Sequence, residues 1–189
     1  MYTYQYSPKH IDKYRDVAVT HGYWHVAIED SFKRHMDRIG IRVLSISFDV
    51  SYSQGSGACF AGHVSNWGLY LLHLGYDNPI LASAAQEWDM AWNHTGRYCH
   101  EYSVTYDENL WANINPYDEV EQTLKFDMWA NVMNTFDLFR LSNDIKEDLR
   151  GHMRALHRTL VMEYEHLTSD EVVSDWMRSN EIELTELEN

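Results

Sequence analysis

Two short runs of alternating residues, joined by a glycine-rich loop, constrain this chain most. In the first, Ile41-Arg42-Val43-Leu44-Ser45-Ile46-Ser47-Phe48, residues Leu44, Ile46 and Phe48 alternate with Ser45 and Ser47. That is the period of a half-buried strand. Residues 58–64, Ala-Cys-Phe-Ala-Gly-His-Val, read as the return strand. Strands this close along the chain pair most simply as antiparallel neighbours. The loop between them carries Ser53-Gln54-Gly55-Ser56-Gly57, with Cys59 just beyond it.

A second strand pair follows the same logic. Trp88, Met90 and Trp92 alternate with polar or small residues. Thr95-Gly96-Arg97 has the composition of a hairpin turn, and residues 98–106 read as its return strand, with Tyr98, His100, Tyr102, Val104 and Tyr106 on one face. Between the pairs, residues 67–76 form an apolar run whose length fits a strand or a short helix. Asp77-Asn78-Pro79 marks a turn or helix start, and the alanine-rich residues 80–87 read as helix.

Helical spacing dominates elsewhere. Trp24, Ile28, Phe32, Met36 and Ile39 recur at steps of four and three, which predicts a helix over about 21–39 ended by Gly40. Residues 1–20 carry only a weak helical signal, from Tyr14, Val17 and Ala18. Val120, Leu124, Met128, Val132 and Phe136, then Leu149, Met153, Leu156, Leu160 and Tyr164, predict helix from about 117 to 166. Leu141-Ser142-Asn143-Asp144 interrupts that pattern, and Asn143 or Asp144 would cap a second helix. Ser169 is the expected N-cap of a last helix bearing Val172, Val173, Trp176 and Met177. The expectation is a single α+β domain over 1–189: a mainly antiparallel sheet in about 41–108, helices packed on one face, and a C-terminal helical region in about 117–180.

Charge narrows the function classes. Twenty-nine acids against fifteen Lys and Arg give a net charge of −14. Residues 117–189 alone hold seventeen acids and seven bases. Such a field repels nucleic acid and anionic membrane and attracts basic surfaces. Two cysteines are too few for a disulfide scaffold, so both are read as reduced thiols. No apolar run approaches a membrane span, and the N-terminus lacks a signal-peptide layout, so a cytoplasmic protein is expected.

The residues able to carry chemistry fall in two places. Ser53, Gln54, Gly55, Ser56 and Gly57 offer backbone donors, hydroxyls and an amide, and successive N–H groups can form an anion nest. The spacing fits neither a Walker loop nor a dinucleotide fingerprint. Cys59 near His63 has the elements of a nucleophile. Arg97, Tyr98, His100 and Glu101 form the most mixed polar group outside the loop. Were the two hairpins adjacent, these residues would reach Gln54, Ser56 and Cys59 and line a pocket for an anionic or nucleotide-like ligand. His63, His73, His94 and His100 show no metal-ligand spacing, so neither metal nor cofactor is expected.

The block Ser53-Gln54-Gly55-Ser56-Gly57-Ala58-Cys59-Phe60 resembles a motif in a family of small phage-encoded proteins, some of which bear a generic toxin–antitoxin "antitoxin" label. His94-Thr95-Gly96-Arg97-Tyr98-Cys99-His100 and Glu163–Glu171 resemble two further blocks of that family in the same order, over roughly residues 20–185. The family often has an acidic residue where Ser56 stands. The resemblance brings no catalytic residue. It implies a phage accessory protein in the host cytoplasm that alters host physiology or blunts host defence. A binding role is therefore ranked above an enzymatic one. Its concrete form is an anti-CRISPR or other anti-defence inhibitor that occupies a host protein, one mode being acidic mimicry of nucleic acid. A homodimer is compatible with it. The alternatives are a small enzyme or nucleotide-sequestering protein using the pocket above, and a virion component.

Overall fold

The computed structural model describes residues 6–20, 23–51, 53–86, 88–109, 131–132 and 135–182. It bears out the α+β class: helices precede, interrupt and follow a four-stranded antiparallel sheet of order β1-β2-β3-β4. The strands are β1 (Ile41–Asp49), β2 (Gly57–Val64), β3 (Asp89–His94) and β4 (Val104–Asn109). The helices are α1 (Pro8–Thr20), α2 (Val26–Arg38), α3 (Trp67–His73), α4 (Pro79–Ala85), α5 (Leu138–Leu167) and α6 (Asp170–Ser179). The chain divides into two compact units, residues 1–28 with 158–189 and residues 29–157.

The larger unit holds the sheet. Helix α2 keeps the predicted stripe, with Met36 fully buried and Phe32 meeting Phe60 of β2 edge-on at 5.2 Å. The helix stops where predicted. Gly40 has φ +87°, and its carbonyl accepts from the amides of Ser65 and Asn66. A Cβ there would lie 2.2 Å from the Asn66 carbonyl oxygen, so the crossing needs glycine.

Strand β1 departs from the predicted alternation. Ile41 and Val43 are buried, the register shifts between Val43 and Ser45, and Leu44 is 64% exposed. The bulge inserts one residue and turns Leu44 outward, while Ile46 beyond it packs on the core.

The ambiguous run after β2 is helical. Asn66 caps α3 by accepting from the Leu69 amide, and Gly75 follows it at φ +85°. Asn78 caps α4 by accepting from the Ile80 and Leu81 amides, with Pro79 at the first helical position. Trp88, just before β3, and Met90 and Trp92 within it are buried as their alternation predicts.

Two further expectations fail. The return strand begins at Val104, paired with His94, and not at Tyr98. Beyond the Thr95 amide, which still donates to the Ser103 carbonyl at 3.1 Å, residues 96–102 leave the sheet as a loop whose residues 98–100 lie on Gly55 and Gly57. The second correction is α5, which runs unbroken through Leu141–Asp144. Leu141 is buried on its core stripe with Ile145, Leu149 and Met153, and Asp144 accepts from Tyr76 Oη at 2.6 Å. The N-cap is Asp137, whose carboxylate accepts from the Arg140 amide at 3.0 Å. Of the helix predicted before it, Val120, Leu124 and Met128 lie outside the described residues, while Val132 is buried.

In the smaller unit α1 packs on α6. Tyr6, Ile11, Val173 and Met177 form its core, with Tyr14 against Trp176. Ser169 caps α6 as expected, accepting from the Val172 amide. Arg15 joins α1 to α6 through Asp170 Oδ1 at 2.7 Å and the Thr168 carbonyl.

Candidate functional site

The two predicted polar groups do meet. The Cys99 amide donates to the Gly55 carbonyl at 3.3 Å. A Cβ on Gly55 would lie 2.1 Å from the Tyr98 ring, and one on Gly57 would lie 2.6 Å from His100 Cα and 2.9 Å from the Cys99 carbonyl oxygen. Both glycines are buried beneath residues 98–100. Their missing side chains make room for the chain's own residues 98–100.

Asp49, at the end of β1, organises the 50–56 turn. Its carboxylate accepts from the Ser51 amide at 2.8 Å and from Ser53 Oγ at 3.3 Å, and its carbonyl accepts from Ser56 Oγ at 2.7 Å. Hydrogen bonds from Ser51, then Ser53, and the charge of His157 hold the Asp49 carboxyl below the usual carboxylate range. His157 Nε2 lies 3.3 Å from Ser56 Oγ.

Cys59 is fully buried on β2. Burial, with a smaller contribution from Cys99, pushes its thiol up to about 12. At neutral pH it is a protonated, inaccessible thiol, the reverse of an activated nucleophile.

The covering loop is polar and aromatic. Tyr98 stacks on His100 at 6.1 Å, and His100 lies 6.2 Å from Tyr102. His94 Nε2 contacts the Tyr98 carbonyl oxygen at 2.9 Å. Tyr98 is 50% and Tyr102 65% exposed, and Arg97 and Gln54 are exposed beside them. One flank of α5 backs this group. Arg150 stands over the Tyr102 ring at 4.9 Å, and Arg154 pairs with Glu101 at 3.5 Å. These α5 residues were not singled out from the sequence. Their i, i+4 spacing was visible, but nothing local says which loop a helix flank will face.

The opposite flank of α5 builds a second polar group. Asp148 accepts from Tyr70 Oη at 3.0 Å, and its two oxygens lie 3.1 Å from His73 Nε2 and 3.5 Å from His152 Nε2. Burial and the neighbouring Asp148 charge push the Tyr70 hydroxyl far up. His35 of α2 places its ring 5.5 Å from that of His152. The Asp148–His152 spacing of four was readable, whereas His73 joins them from 75 residues away.

Comparison of the chain with known protein families, curated proteins and solved structures gives no significant match. No described helix is long and apolar enough to cross a membrane.

Proposed function

We propose that this protein acts by binding, as a phage-type accessory protein that occupies a host protein and inhibits it, in the manner of an anti-CRISPR or other anti-defence factor. The observation that carries the reading is the closed loop. Gly55 and Gly57 are packed by Tyr98 and His100, Cys59 is sealed, and the outward surface is Tyr98, Tyr102 and Arg97. Tyrosine and arginine dominate the energetics of protein interfaces because they bring large rigid area and directed donors. The packing of Tyr98 and His100 against the two glycines supports this reading over the enzymatic and nucleotide-pocket ones. The net charge of −14 favours a basic partner surface, including one that otherwise holds nucleic acid.

The test is affinity capture from host lysate with the wild-type chain and a Tyr98→Ala/Tyr102→Ala variant. A stoichiometric partner captured by the first and lost by the second, with the variant's melting temperature unchanged, supports the reading. Equal capture by both chains, or none by either, rejects it. For the mimicry form, competing DNA or RNA must displace the chain from that partner, and binding must weaken steeply with salt.

A further inference from the structure

His73, Asp148 and His152 each bring a ligand atom to one point, and these three atoms all lie within 4.8 Å of one another. Asp148 and His152 occupy successive turns of α5, and His73 comes from the last turn of α3. Ligand atoms held about 2.0–2.1 Å from a tetrahedral ion sit about 3.3–3.4 Å apart. His73 Nε2 lies 3.1 Å from Asp148 Oδ1 and His152 Nε2 lies 3.5 Å from Asp148 Oδ2, each close to that edge, with the two imidazoles on different oxygens of the carboxylate.

A plain network of hydrogen bonds explains this group less well. His152 Nε2 is buried and has no close hydrogen-bond partner; its nearest polar neighbour is Asp148 Oδ2, an ion-pair contact at 3.5 Å. Buried polar nitrogens are normally partnered. Asp148 is in turn oriented by Tyr70 Oη, the outer-shell hydroxyl that commonly fixes a ligating carboxylate. His73 is exposed, so the point where the three atoms converge is open to solvent on that side.

We propose that His73, Asp148 and His152 form a binding site for a divalent transition-metal ion, with a coordination position left to water. Two imidazoles and one carboxylate select Zn2+ and its neighbours over Mg2+ and Ca2+, which prefer all-oxygen shells. The ion ties α3 to α5 inside the larger unit, independently of the Tyr98–Tyr102 surface and of any partner bound there.

The experiment uses the full chain stripped with chelator and titrated with Zn2+ by calorimetry and native mass spectrometry, with Co2+ as a spectroscopic probe. Expected are one equivalent of Zn2+, a visible Co2+ band of low-symmetry coordination, and a Tm increase of roughly 5–10 °C at about a hundredfold excess over Kd. His73→Gln, at an exposed position, should keep the metal-free Tm and lose all three signals. His152→Gln should lose them as well. No stoichiometric binding, or binding and Tm shift unchanged in both variants, would overturn the site.

Discussion

At the scale of single residues, Cys59 separates the sealed interior from the exposed loop that covers it. The folded chain holds its thiol proton up to about pH 12, whereas an unfolded thiol releases it near 9.0. Folded protein therefore binds more protons than unfolded protein between those values, and stability falls as pH rises above 9.0. Denaturant midpoints measured at pH 8 and pH 10 should drop more for wild type than for Cys59→Ala. At pH 8, Ellman's reagent should label half-buried Cys99 first and reach Cys59 only on unfolding. Equal labelling of both thiols in the native state would contradict the burial. The motif around Cys59 was legible as a special segment. Its use was not, because Gly55 and Gly57 fit a plain turn and an anion nest equally until residues 98–100 are seen to lie on them.

At the scale of elements, the sequence is clearest where spacing and capping agree. The stripe of α2, the caps at Asn66, Asn78 and Ser169, and the stop at Gly40 all act within a few residues, so local physics decides them. Helix α5 was misjudged because Asn143 and Asp144 have the side chains of a cap. Asp144 instead spends its carboxylate on Tyr76 of the larger unit, and Asp137 starts the helix. Asp137→Ala should cost about 1 kcal/mol of stability, and Asn143→Ala should stay within roughly 0.5 kcal/mol, measured by urea unfolding. A larger loss at Asn143 would restore the broken-helix reading. Residues 98–106 alternate as a strand should, but only from Ser103 on do they pair, while Tyr98 to His100 lie on the 53–57 loop.

At the scale of the whole molecule, the two units have unequal cores. The smaller is built on Tyr6, Ile11, Val173 and Met177, while β2 in the larger is buried at six successive positions. Segments with few buried apolar contacts open locally at low cost. Hydrogen exchange should accordingly be faster in α1 and α6 than in β2, and uniform protection across all three would argue for one cooperative unit. The second polar group also belongs to this scale. His73 lies 75 residues before Asp148, so no spacing rule applied to the sequence could have joined them.

Among the described strands, β1 has a neighbour on one side only. An edge strand with free backbone donors and acceptors is a template for adding another chain's strand, the first step of edge-to-edge aggregation. The bulge at Val43–Ser45 breaks the regular ladder at the middle of that edge and twists it, with Arg42 exposed alongside. One extra residue thus interrupts the ladder that another strand would need to match. A chain with Leu44 deleted would regain an uninterrupted edge, and its aggregation at high concentration would measure how much the irregularity was worth.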